Sequence, residues 1–207
     1  MVWIDKLARI LTIALSLFLW VGSARAQNPQ VGQAQFAVGT LLVIHPDGIE
    51  DRLRGKGTVN LFEQDVVKTD AGSRALIELA DGIRIALDEN TTLILLSRWE
   101  KATGVHRIVR LKKGHLWVKG PTGGKTIEVE TSSGTAVVQN GEIDIKASEN
   151  GQTVLSVTQG TAQFATSYGW CTVAVSTAST GARGRGCSPN AAINAQQTLA
   201  WSRELLR

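Results

Sequence analysis

The chain of 207 residues has no long apolar run, no histidine cluster and no nucleophile motif. Its longest apolar stretch, Ile10 to Gly22, falls short of the roughly 20 residues a membrane-spanning helix needs. The three histidines are His45, His106 and His115. The last two are placed by the pattern on neighbouring strands of one hairpin, where they could face each other. Such a pair still lacks the third and fourth ligands that zinc takes, so neither a metal nor any other cofactor is expected. No serine sits in Gly-x-Ser-x-Gly. The stretch "GPTGGK", Gly120 to Lys125, lacks the glycine spacing and following helix of a phosphate loop. Asp88-Glu89-Asn90 lacks the alternating oxygen ligands of a calcium loop. Glu50 and Asp51 are adjacent, and adjacent strand residues point to opposite faces, so they cannot act as an acid–base pair. These absences argue against an enzyme. Charge is scarce too: the formal net charge is +4 without a basic run, which does not suggest a nucleic-acid partner.

What is present begins with a basic, then apolar, then small-residue order. Lys6 and Arg9 precede the apolar core, and Ala24-Arg25-Ala26 follows it. This is the secretory pattern, with cleavage expected between Ala26 and Gln27. It predicts a signal peptide over 1–26 and a periplasmic mature chain, with membrane contact only through an uncleaved signal. Two cysteines, Cys171 and Cys187, lie beyond it. In an oxidising compartment their spacing suits one disulfide closing "STASTGARGRG", the alternative being two separate thiols. "GARGRG" could cradle an anion through Arg183 and Arg185, and a flexible loop explains it equally.

From Phe36 to about Ser176 short apolar–polar alternations are broken by turns. Ile83, Ile85 and Leu87 share a face, as do Ile127 and Val129, and Ile143 and Ile145. In the last segment Glu142, Asp144 and Lys146 take the other face. "RALIEL" and "IRIAL" flank Asp81-Gly82, a hairpin signal. "VHRIVRL" and "HLWVK" flank Lys112 to Gly114 and read as a second hairpin. The fold class is therefore all-β, a twisted antiparallel β-sandwich or a short irregular β-solenoid. "INAQQTLAWSRELL", Ile193 to Leu206, predicts a short C-terminal helix. The organisation that follows is a flexible segment over 27–35, an all-β domain over 36–176, and a disulfide-tethered loop with a helical tail over 177–207.

The order of motifs from about Val59 to Phe164 resembles the FecR family, named for a ferric-citrate transport regulator. Its pattern "GD-x-V-x-T", an apolar strand, "DG", "(S/T)-x-L" and "V-x-L-x-x-G-x-L-x-V" is met by "EQDVVKTDAGSRALIELADGIRIALDENTTL" and "IVRLKKGHLWV". "IEVETSSGTAVVQNGEIDI" and "VLSVTQGTAQF" follow in register. Gln64 replaces the usual glycine before Asp65, and Gly141-Glu142-Ile143 stands where Gly-Thr-x-Phe is usual. The resemblance implies a non-enzymatic periplasmic sensing or binding module that docks an envelope protein, within a signalling or transport-regulation system. With only Met1 to Arg9 ahead of the apolar core, no direct contact with a cytoplasmic sigma factor is expected. Trp117 shares a strand face with His115 and Lys119. If the Leu116/Val118 face is the core, these three and Trp170 are the partner-binding candidates; if both faces are covered, Trp117 is core. The other reading is a glycan-binding or structural envelope β-domain, supported by the alternating strands and the Trp117 face; glycan binding gains if Trp117 and Trp170 converge on one exposed groove and loses if they are buried.

Overall fold

A computed structural model describes residues 28–100, 104–121 and 125–206. The expected signal peptide and the Ala26–Gln27 cleavage site lie outside the described residues. The alternating segments form one hydrogen-bonded network of strands. In chain order these are β1 Gln30–Ile44, β2 Glu50–Phe62, β3 Val66–Thr69, β4 Arg74–Leu79, β5 Arg84–Leu87, β6 Thr92–Glu100 and β7 Gly104–Lys119. Then come β8 Ile127–Glu130, β9 Thr135–Val138, β10 Glu142–Ala147, β11 Gln152–Gln159, β12 Thr161–Thr166, β13 Gly169–Ala174, β14 Thr177–Ala182 and β15 Ala191–Ala192. Helix α1, Ala195–Thr198, follows.

The all-β expectation holds, with a short C-terminal helix. Four boundaries differ from the sequence reading. Strand β1 already starts at Gln30 and pairs with β2 and β4, so 30–35 is sheet and not a flexible segment. Residues 177–182 are also sheet, because β14 pairs with β11 throughout its length. The helix is a single turn: Asn194 caps it by accepting from Gln197 N, and the chain then continues in turns to Leu205. A short, Gln- and Thr-containing segment has too few hydrogen bonds to propagate helix, and packing shapes the rest.

The fourth difference matters most. Lys112 to Gly114 is not a hairpin turn; β7 runs straight through it as one strand of 16 residues. Its first half pairs with β6 on one side and, in parallel, with β8 on the other. Its second half pairs with β5 and β10. This continuity lets β6 return to β7, closing β1, β3, β6, β7, β5 and β4 into a ring; among the described residues β2 pairs with β1 alone, and β8 to β15 extend from β7 as a second lobe. The strand bends at Gly114, whose φ is +105°. A Cβ there would meet the Cα of Thr91 at 2.4 Å. The Thr91 hydroxyl accepts from His115 N at 3.0 Å and donates to His115 O at 3.1 Å, so it bonds the backbone on the far side of Gly114.

The inward faces of both lobes share one core, with Leu41, Leu61, Ile77, Ile85, Leu93, Leu116, Ile127 and Phe164 all fully buried. Burying a side chain of this size contributes about 1.5–3 kcal/mol. At the rim of that core Gln64 holds φ +70° while its N–H donates to Leu95 O. Its side chain is exposed. A left-handed non-glycine residue costs about 1–2 kcal/mol, against the 0.5–1 kcal/mol that glycine loses in chain entropy. Gln64→Gly should therefore stabilise the protein by about 0.5–1 kcal/mol. A thermal melt that moves down would show that the Gln64 side chain contributes something its exposure does not reveal.

Candidate functional site

The second half of β7 presents His115, Trp117 and Lys119 outward, as alternation demands. Strand register then places Leu76 of β4, Ala86 of β5, Trp117 of β7, Asp144 of β10 and Ser156 of β11 side by side in one row. This outward row is covered. The C-terminal turns lie over it, and Leu205 packs with Leu76, Ala86 and Trp117 in a second apolar cluster, flanked by Val38, Leu199, Trp201 and Leu206. Trp117 is consequently only 3% exposed. The expectation that it offers a partner-binding surface is corrected: both sheet faces are covered there, so it is core. Its indole Nε1 is buried without a hydrogen-bond partner.

The tail is fastened through one polar cluster. Trp201 stacks obliquely on the His115 ring, with centroids 4.6 Å apart, and donates its indole N–H to Asp144 Oδ2 at 3.0 Å. His115 lies between two carboxylates, Nε2 at 2.8 Å from Asp144 Oδ1 and Nδ1 at 3.3 Å from Asp88 Oδ2. Burial by itself would raise the Asp88 carboxyl, but the Arg74 guanidinium at 2.9 Å helps to hold it below the usual range. Asp144 is buried, although alternation alone places it with the solvent-facing Glu142 and Lys146. His115, a predicted contact residue, is thus a tail anchor. Lys119 is half-exposed and 3.3 Å from Glu142, a surface pair worth little. His106 and His115 sit at opposite halves of one strand and do not face each other. Among the described residues no three His, Cys, Asp or Glu side chains group as metal ligands.

A second histidine cluster fixes the start of the matched motif. Asp65 is fully buried; it accepts from Phe62 N at 2.8 Å and from His45 Nδ1 at 2.8 Å, while His45 Nε2 reaches Asp51 at 3.1 Å. Burial pushes the Asp65 carboxyl up against those hydrogen bonds. Burial would lower His45, and its hydrogen bonds to Asp65 and Asp51 outweigh it, so its pKa is raised.

Trp170 is different. It is 71% exposed on β13, beside Tyr168 in the β12–β13 turn at 67% exposed. Across the strand pair it faces Ala165, and the next pair on the same face is Gln163 with Thr172. Three strands, β12, β9 and β8, separate β13 from β7 along the sheet path, and Trp117 is covered, so the two tryptophans do not converge on one groove. Among the described residues β13 ends the sheet path and pairs only with β12. Cys171 is bridged to Cys187, and Asn190 donates to Thr172 O at 3.0 Å. The predicted disulfide is therefore present, and by loop-closure entropy it contributes about 3 kcal/mol. Tyr168 carries no signal in the alternation; only its exposure beside Trp170 marks it.

Residues 65–163 match the family model described as FecR protein. The chain matches no curated relative. Its fold is similar to two crystal structures of a proposed anti-sigma factor from Parabacteroides distasonis ATCC 8503. They superpose with TM-scores of 0.57 and 0.56 at 20% and 18% identity. Each match covers 66% of this chain and 63% of the other, so the likeness is one of fold over less than two thirds of those structures. No helix among the described residues is long and apolar enough to cross a membrane.

Proposed function

We propose that this protein, whose residues 65–163 match the FecR family model, is a non-catalytic regulatory module that works in the periplasm by docking an envelope protein. The description of the fold neighbours as anti-sigma factors agrees with a regulatory and not a chemical role. The observation that carries the docking reading is the exposed aromatic pair Tyr168 and Trp170. Aromatics make up only 5% of the chain, and two of them, separated by Gly169, stand about two-thirds or more exposed where the β12–β13 turn enters β13. Large exposed aromatics are enriched at interface hot spots, because a rigid ring gives contact area at low entropic cost. Asn190 already occupies Thr172 O on the outer edge of β13, which favours docking on its face over strand addition.

The test is a photoreactive amino acid at position 170 in cells, with a matching substitution at Ile49 as an exposed control. The expected result is a discrete adduct to one envelope protein from position 170 alone, lost when Tyr168 is also replaced by Ala. Equal or no adducts at the two positions would overturn this surface as the docking site.

A further inference from the structure

Between Gly151 and Arg203 the sequence contains no Asp or Glu. The lobe built from that stretch therefore has arginines with no local carboxylate. One of them, Arg183, follows β14 and leans over the β10–β11 turn, where Gly151 leaves room for its stem: a Cβ there would meet Arg183 Cδ at 3.0 Å. Arg183 lines a groove of about 400 Å³ together with Arg110 and Lys112 of β7, Glu130 at the end of β8, Ser132 of the β8–β9 connection and Thr135 at the start of β9.

The charges do not cancel. Glu130 is taken by Arg110 at 2.7 Å, and nearby Glu149 by Lys113 at 2.9 Å. Lys112 and Arg183 have no ion pair or side-chain hydrogen bond among the described residues, and neither do the hydroxyls of Ser132 and Thr135. The groove thus holds two uncompensated cations and two free hydroxyl donors. Its wall is fixed in advance. The Thr131 hydroxyl donates to Gly134 O at 2.8 Å and accepts from Gly134 N at 3.2 Å and from the Thr153 hydroxyl at 2.9 Å, which locks the 131–134 turn. The continuity of β7 through its bend brings Lys112 to this mouth.

We propose that this groove is a binding site for a phosphate group, either free or as the monoester of a small sugar. The charge count decides between anions: a carboxylate brings one negative charge, whereas a phosphomonoester brings about −1.5 to −2 with three acceptor oxygens. That matches one lysine, one arginine and two hydroxyls. Arginine offers the planar fork and lysine the point charge typical of phosphate recognition. The volume lies within the range of small-molecule sites and exceeds what a phosphate alone fills. The site is separate from the Tyr168/Trp170 docking surface and does not depend on that reading.

The experiment is a calorimetric and NMR titration of the whole mature chain with inorganic phosphate, glucose 1-phosphate and glucose. Saturable binding of a phosphate-bearing probe is expected, with amide shifts at Lys112, 131–135 and Arg183, and none with glucose. Tighter binding of glucose 1-phosphate than of inorganic phosphate identifies the ester as the ligand; equal binding identifies the free ion. The double variant Lys112→Gln/Arg183→Gln should bind about 10-fold or more weakly. Arg54→Gln/Lys56→Gln removes the same charge from β2 and should bind as the parent does. Both doubles change exposed side chains, and unchanged melting temperatures will show that the fold is intact. Equal weakening by the two doubles, shifts elsewhere, or no saturable binding would each overturn the site.

Discussion

Gly114→Ala is expected to lower the melting temperature by about 10 °C. The added Cβ would sit 2.4 Å from the Thr91 Cα, a backbone atom with little freedom to retreat. Thr91 N bonds the Thr69 hydroxyl at 3.1 Å, the Thr69 hydroxyl donates to Asp88 O at 2.5 Å, and Thr69 N donates to Thr91 O at 3.0 Å. Overpacking against such a frame costs about 1–3 kcal/mol, and the left-handed φ adds about 1–2 kcal/mol. Gly82→Ala is the control. Its φ is +78°, but nothing lies within 4 Å of the new methyl, so only the conformational part remains. Thermal melts followed by circular dichroism separate the two. Similar small losses for both would mean that the crowding at Gly114 is relieved cheaply, and that Thr91 does not hold β7 to its path.

The same residues explain why the family pattern was readable while its geometry was not. Asp65, Thr69, Thr91 and Gly114 are the polar and glycine positions of the matched motifs. In the fold they bond or touch within one internal frame that closes the ring. They are framework. The Gln64 departure has the same character: the family's glycine suits a position whose φ is +70°. Alternation and the Asp81-Gly82 hairpin were legible because each depends on neighbours in sequence. "KKG" was not, since a glycine after two lysines looks the same at a turn and at a bend within a strand. What decides is Thr91, 24 residues before His115, and no local pattern contains it. Trp117 failed for a related reason. Alternation correctly turned it away from the Leu116/Val118 core, but whether that outer face is wet depends on Leu199, Trp201 and Leu205, which arrive from the far end of the chain. Asp144, read as solvent-facing, was hidden by the same cover. Trp170 kept its exposure because nothing distant covers it.

Asp144→Ala should free the tail. Asp144 holds both His115 Nε2 and the Trp201 indole N–H, so its loss leaves two donors unpaired beneath a covered surface. Removing one partner of a buried, charge-assisted cluster costs about 3–5 kcal/mol when the surroundings stay closed. Here they need not stay closed. The tail ends the chain, and the Cys171–Cys187 bridge anchors what precedes it, so residues 194–206 can detach without unfolding the ring or the core. Once they detach, His115, the Trp201 indole and the unpartnered Trp117 indole all meet water, and no further penalty accrues. The loss should therefore level off at the free energy of tail docking, and the global melt should fall less than for Gly114→Ala. The local readout should be large: amide hydrogen exchange over 195–206 rises about 100-fold, as expected for about 3 kcal/mol of lost docking, while exchange in β4, β5 and β10 away from position 144 changes little. Trp201→Phe keeps an aromatic ring over His115 and removes the donor, so it should raise tail exchange by only about 10-fold, the worth of one hydrogen bond. Uniform acceleration across the sheet in Asp144→Ala would show that the tail and core unfold as one unit. Unchanged tail exchange would show that apolar packing of Leu199, Leu205 and Leu206 holds it without the polar cluster.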